Sequence, residues 1–179
     1  ATTFTLTVPN QSPVVNPTQD QSVLVGTAIS NDVAGQFNDP DGDPLVYSLS
    51  TNAGFLTLSP GGTLLGTPSI DDKGEYTVTI EATDGTASVA TTFTLTVPNQ
   101  SPVAGTIQNQ AVFVGTAINA NVAGQFNDPD GDPLSYSLTT DAPFLTLSGG
   151  ILSGTPSIDD KGEYTVTIEA TDGEATVAT

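Results

Sequence analysis

The chain of 179 residues has no cysteine, histidine, arginine, tryptophan or methionine. Without cysteine, no disulfide can staple a small core. Without histidine or cysteine, neither a Ser/His/Asp nor a Cys/His nucleophilic site can be assembled, and zinc and copper lose their usual ligands. Positive charge is nearly absent: Lys73 and Lys161 stand against 20 acidic residues, a formal charge of −18. Such a polyanion has nothing to neutralise phosphates, which excludes nucleic acid as a partner, and anionic membrane surfaces are excluded on the same ground. No apolar run approaches membrane-span length, and no signal peptide opens the chain, so it reads as a mature or internal segment. Threonine, serine, glycine and aspartate are plentiful, a composition that fits a secreted protein of the cell surface or extracellular space.

What is present is said almost twice. Thr2 to Val14 returns letter for letter as Thr91 to Val103, and Phe37-Asn38-Asp39-Pro40-Asp41-Gly42-Asp43-Pro44-Leu45 returns at Phe126 to Leu134, both shifted by 89 residues. Gly66 to Gly85 returns as Gly154 to Gly173 with a shift of 88, so one residue is lost in the turn after Ser59. That period is too long for a solenoid repeat and suits one small domain, so the chain reads as part of a tandem array. Period-two alternation dominates. Tyr76, Val78, Ile80 and Ala82 fall on one face and Thr77, Thr79, Glu81 and Thr83 on the other; Phe93, Leu95 and Val97 alternate with threonines, and Leu45, Tyr47 and Leu49 with Val46 and Ser48. Shorter strands are expected around Ser22 to Val25, Phe55 to Leu58 and Leu64 to Leu65. No stretch has a helical period. The expected fold class is all-β: two tandem cadherin-like or immunoglobulin-like β-sandwiches of about seven strands each. The expected boundaries are an orphan strand at 1–9, a first domain at 10–98 and a second at 99–179 that lacks its own last strand.

Asp72-Lys73-Gly74-Glu75-Tyr76 and its copy ending at Tyr164 resemble the tyrosine corner that opens strand F of immunoglobulin-like domains; Val78 and Val166 stand where an antibody domain has cysteine. Naming strand F sets polarity. Asp84 then ends at the pole where the chain enters the domain, together with Asp39, Asp41 and Asp43 of the loop before strand C. Asp71 and Asp72 lie at the opposite pole, beside the linker Pro98-Asn99-Gln100-Ser101-Pro102. Head-to-tail stacking is expected to bring Asp71, Asp72, Asn99 and Gln100 toward Asp128, Asp130, Asp132 and Asp172 of the second copy. Carboxylates this close cannot all stay ionised without a cation, and hard oxygen ligands in irregular loops favour Ca²⁺ over magnesium. An EF-hand is excluded: the glycine is fourth rather than sixth, and the twelfth position is Ser50 or Thr139.

Taken in order, Phe37 to Leu45, Tyr47-Ser48-Leu49, Gly66-Thr67-Pro68, Gly74 to Gly85 and Thr92 to Val97 are similar to the dystroglycan-type cadherin-like repeat of bacterial surface proteins, a likeness that spans essentially the whole chain in both copies. The resemblance implies a cadherin-like sandwich, calcium where the chain enters, and service in adhesins or extracellular arrays. It matches Asp39 and Asp41 to the paired aspartates before strand C and Asp84 to the Ala-x-Asp aspartate, with Asp128, Asp130 and Asp172 as counterparts. The linker departs from the cadherin pattern in containing no carboxylate.

Three function classes follow. Catalysis is not expected, because the paired carboxylates that could cleave glycosides sit in repeated loops rather than a cleft. A calcium-dependent carbohydrate-binding module, with polysaccharide as partner, lacks tryptophan, and Tyr47, Tyr76, Tyr136 and Tyr164 fall at core or corner positions. A calcium-stiffened spacer or assembly module fits best. Phe4, Leu6 and Val8 repeat Phe93, Leu95 and Val97, and the second copy has no such strand. Burying each is worth on the order of 1.5–3 kcal/mol. Either the phase of the repeats is that of a segment of a longer array, or the first strand completes the second domain of another copy and so propagates a fibre.

Overall fold

A computed structural model describes residues 2–179; Ala1, the first residue of segment 1–9, lies outside the described residues. The chain forms two compact units, Ala1–Pro98 and Asn99–Thr179. Residues 2–9 carry no regular structure.

The first unit contains β1 (Val14–Val15), β2 (Gln21–Ser22), β3 (Ile29–Asp32), β4 (Phe37–Asn38), β5 (Val46–Thr51), β6 (Leu56–Leu58), β7 (Thr63–Gly66), β8 (Gly74–Thr83) and β9 (Ser88–Val97). One sheet runs β2-β9-β8-β5 and the other β3-β7-β6, with β1-β4 as a separate ribbon. Seven strands thus make the two main sheets, and the ribbon adds two short ones that carry no alternation to betray them. Alternation puts Val78, Ile80 and Ala82 of β8 and Phe93, Leu95 and Val97 of β9 inside. All but Val97 share one cluster with Ile29, Phe37, Leu56 and Leu64. The tyrosine corner forms: the Tyr76 hydroxyl donates to the Asp72 carbonyl at 2.8 Å, and the Tyr76 ring meets Phe55 edge-on at 5.2 Å. Burial, then the neighbouring Asp72 charge, push the Tyr76 hydroxyl above its ordinary pKa.

The second unit repeats the plan with β10 (Val103–Ala104), β11 (Ile118–Asn121), β12 (Phe126–Asn127), β13 (Ser135–Thr140), β14 (Leu145–Ser148), β15 (Ile151–Gly154), β16 (Val166–Thr171) and β17 (Thr176–Ala178). Its sheets are β13-β16-β17 and β11-β15-β14, with the ribbon β10-β12. The lost residue has a visible effect. The four-residue connection between β6 and β7 becomes the two-residue turn Gly149-Gly150, with φ of 55° and 78°, both in the left-handed region that a tight hairpin turn demands.

A larger difference lies at the sheet edge. In the first unit β9 pairs with β8 along ten residues, from Gly74↔Val97 to Thr83↔Ser88, and runs parallel to β2 on its other side. In the second unit the equivalent ladder ends where Ile168 and Thr179 exchange two backbone hydrogen bonds of 3.0 Å. Residues 162–165 and 108–112, the counterparts of early β8 and of β2, are then not strand. Val78 is 0% exposed whereas Val166, identical in type and position, is 37% exposed. The buried cluster shrinks to Val122, Phe126, Ile168 and Ala170.

Equivalent truncations should therefore cost different amounts. Leu64→Ala is expected to destabilise the first unit by about 2–5 kcal/mol and the half-exposed counterpart Leu152→Ala by less than about 2 kcal/mol, as read from urea unfolding midpoints.

Candidate metal centre

The loop from β4 to β5 is Asp39-Pro40-Asp41-Gly42-Asp43-Pro44-Leu45. Two prolines restrict its backbone, and Gly42, at φ 83°, takes a conformation that side chains rarely adopt. The loop folds around one carboxylate: Asp39 Oδ1 accepts the backbone N–H of Asp41 at 2.8 Å and of Asp43 at 3.2 Å, and the Gly42 N–H donates to the Asp39 carbonyl at 3.2 Å. In the second unit Asp128 Oδ1 accepts from Asp130 at 2.9 Å and Asp132 at 3.1 Å, and the Gly131 N–H reaches the Asp128 carbonyl at 3.2 Å.

The result is a triad. One carboxylate oxygen from each of Asp39, Asp41 and Asp43 lies within 4.8 Å of the other two, and the same holds for Asp128, Asp130 and Asp132. Asp39 is 8% exposed and Asp128 7%. Their second oxygens, Asp39 Oδ2 and Asp128 Oδ2, are buried with no hydrogen-bond partner. Removing a carboxylate oxygen from water without a donor is costly, and buried polar atoms are ordinarily paired. An oxygen-binding cation would give that oxygen the partner it lacks, and hard carboxylate donors such as these are of the type Ca²⁺ takes.

Each triad is held from the chain that leads into its unit. The Gln11 backbone N–H donates to Asp41 Oδ2 at 2.6 Å and its side-chain amide to Oδ1 at 2.7 Å; Gln100 does the same to Asp130 at 2.6 and 2.7 Å. Asn10 Nδ2 reaches Asp84 Oδ2 at 3.0 Å, and Asn99 Nδ2 reaches Asp172 Oδ2 at 2.9 Å. Asp84 and Asp172 are outside the triads; each also closes its own hairpin, accepting from the N–H groups of Thr86 and Ala87 at 2.6 and 2.7 Å, or of Glu174 and Ala175 at 2.7 and 2.6 Å. The Ala87 N–H and then the Asn10 amide pull Asp84 below the ordinary carboxylate range. The Ala175 N–H first, then the Asn99 amide, hold Asp172 at about 2.

Asp71 and Asp72, expected as further ligands, lie in a 3-10 turn of the first unit, outside its triad. The Asp72 carboxylate accepts the Ser69 hydroxyl at 2.6 Å and the Ser69 N–H at 2.8 Å, which lowers its pKa and makes it a cap for that turn. Asn99 and Gln100 approach the acids as amide donors. The matching roles of Asn10 and Gln11 escape a reading centred on the inter-domain linker; the identity of Pro9–Pro13 with Pro98–Pro102 is the signal that carries them.

No curated protein matches the chain in sequence. The profile of the Putative Ig domain family matches it twice, over residues 12–98 and 101–179. Among solved structures, the titin domains Z1Z2 in complex with telethonin share the fold, with a TM-score of 0.52 and 16% identity over 96% of this chain and 95% of that one. Human protocadherin-24 EC1-2 aligns with a TM-score of 0.41 and 20% identity over 96% of this chain and 93% of that one. An endo-fucoidan hydrolase of glycoside hydrolase family 107 aligns with a TM-score of 0.46 and 24% identity over 97% of this chain, which spans 29% of the hydrolase.

In the metal-free protein the depressed acids have a pH signature. Asp172 falls from an ordinary 3.8 to about 2, so within that interval the unfolded chain binds more protons and stability drops as pH falls. Asn99→Ala should raise the Asp172 midpoint, measured by carboxyl-carbon NMR titration; an unmoved midpoint would assign the shift to the hairpin N–H groups alone.

Proposed function

The chain belongs to the Putative Ig domain family, matched in both of its units, and from that premise we propose that it is a calcium-binding extracellular structural repeat, a stiff spacer that joins its neighbours head to tail. The observation that carries this reading is the buried, donorless oxygen of Asp39 and of Asp128 at the centre of each acid triad. Asp39, Asp41 and Asp43 would hold one Ca²⁺, and Asp128, Asp130 and Asp132 a second. The Asp41 and Asp130 oxygens accept one amide hydrogen bond each from Gln11 and Gln100, which leaves lone pairs on every oxygen for a cation. Asp84 and Asp172 are held by Asn10 and Asn99, the residues next to the glutamines that hold Asp41 and Asp130, and add further negative charge to each unit. Bound calcium would offset part of the −18 charge and fix the loop that leads into β5 or β13, together with the chain that leads into the unit. Stiffness at that pole is what a spacer requires. Among the described residues, no helix is long and apolar enough to cross a membrane.

A calcium-dependent carbohydrate-binding reading has less to rest on. The four tyrosines pack against Phe37, Phe55, Phe126 and Phe144 at ring separations of 5.2–5.7 Å, which takes them out of use as sugar platforms.

Calcium at about 100 times its dissociation constant should stabilise a unit by about 2.7 kcal/mol, which raises its melting temperature by roughly 10 °C or more, and a chelator should reverse the gain. Asp41→Ala should remove the shift for the first unit and Asp130→Ala for the second. Equal melting curves with calcium and with chelator would overturn the reading.

A further inference from the structure

We propose that residues 14–23 form a strap that lets the first unit carry tension along the chain, gripping β9 in shear, with Asp20 and Thr91 as the side chains that complete the grip. The inference rests on the spacer reading and names what the unit does when its two ends are pulled.

The chain enters and leaves this unit at opposite ends of one strand. On the incoming side, Asn10 is bonded to Asp84 in the hairpin that precedes β9. On the outgoing side the chain leaves through Val97, the last of the ten residues of β9, about 30 Å along the strand from that hairpin. A pull from both sides therefore draws β9 one way and the incoming segment the other.

Between those ends the incoming segment is fastened station by station. Val14 and Val15 pair with Asn38 and Phe37 of β4, and the Asn16 N–H donates to the Gln36 carbonyl at 2.8 Å. Pro17 has no N–H to give, and beyond it the chain crosses to the other sheet. There the Thr18 N–H donates to Thr91 Oγ1 at 3.2 Å, and the Thr94 N–H donates to Asp20 Oδ1 at 2.7 Å. Gln21 and Ser22 then lie beside Leu95 and Thr96 in parallel register, and the Val23 N–H reaches the Thr96 carbonyl at 3.0 Å. Residues 18–23 thus run beside 91–96 in the same direction.

That shared direction decides the mechanics. Parallel neighbours drawn toward opposite ends slide past one another, so their bonds are strained together and must fail together. A pair opened from one end loses its bonds one at a time. The side chains matter because the backbone ladder itself joins only Gln21 and Ser22 to β9. Thr91 and Asp20 extend the contact back along the strand, and the Asp20 bond is of the charge-assisted kind, stronger than a neutral one. Thr91 is 6% exposed, so its bridge is sheltered from water. The far end of the strap is anchored twice more: Asn31 Nδ2 of β3 donates to Gln21 Oε1 at 2.6 Å, and Val23 packs against the core.

The test pulls the full chain by cysteine handles, which are unambiguous because the chain has no cysteine of its own. Handles at Thr7→Cys and Ser101→Cys lie beyond the two pulled ends and load the strap in shear. Handles at Thr7→Cys and Thr86→Cys, the second between β8 and β9 in their hairpin, open the pair from one end. At one fixed tension the unit should survive longer with the first pair of handles than with the second. Asp20→Ala should speed unfolding by about 10-fold in shear and far less in the opening geometry. Asp20→Asn keeps an acceptor, as Asn109 does at this place in the second copy, and should fall between. A residue that only holds the fold together would speed both geometries alike. Equal lifetimes in the two geometries, or an Asp20→Ala effect of the same size in both, would overturn the proposal. Each arm is run in chelator and again in calcium, which separates the two readings. Longer survival in shear under chelator sustains the strap whatever calcium does, and equal lifetimes there defeat it even if calcium raises the melting temperature.

Discussion

Asp39 Oδ2 and Asp128 Oδ2 are carboxyl oxygens removed from water with no hydrogen-bond partner, and the loop that carries each is folded around the same aspartate. The first oxygen of each aspartate organises the loop by taking two N–H groups, and a glycine in the left-handed region lets the loop turn tightly enough to do so. Asp41 and Asp130 are then fixed by glutamines from the incoming chain. With two lysines in the whole sequence, side-chain cations are too few to balance either triad. That donor set is the basis of the proposal that an ion completes each site.

Two copies of nearly one sequence also provide a comparison in which composition is held constant. Val78 and Val166 have the same neighbours in sequence, yet one is sealed and the other half open. The difference is a strand alongside, which in the first unit sets Thr92 to Val97 opposite Gly74 to Thr79. Strand length follows the same cause: β8 runs from Gly74 to Thr83, whereas β16 begins only at Val166. Local propensity is identical in the two segments, so pairing and burial, and not propensity, decide whether the first four residues become strand.

Much of this was legible in the sequence, and what was not has a physical reason. Strong alternation marked β5, β8 and β9, because each buries one face over six or ten residues. β1, β3 and β4 escaped, since two to four residues such as Val14-Val15 or Ile29-Ser30-Asn31-Asp32 carry no readable period. The strand expected at Ser22 to Val25 is centred earlier, at Gln21–Ser22, where β9 offers its parallel partner. The acid triads were visible because alternate acids around an Asp-Gly turn lie within one loop. The clamps of Asn10 and Gln11 were not, because their partners are 74 and 30 residues away. A buried oxygen lacking a donor is a property of packing, and no pattern of letters carries it.

The central claim is that each triad is completed by a calcium ion on the donorless oxygen. The most direct measurement is a crystal structure of the chain grown in calcium, with anomalous scattering used to locate the ion. Two peaks are predicted, each about 2.3–2.6 Å from Asp39 Oδ2 or Asp128 Oδ2 and bound also by the other two aspartates of its triad. Peaks only at other acids, or both oxygens still without a cation in saturating calcium, would contradict it.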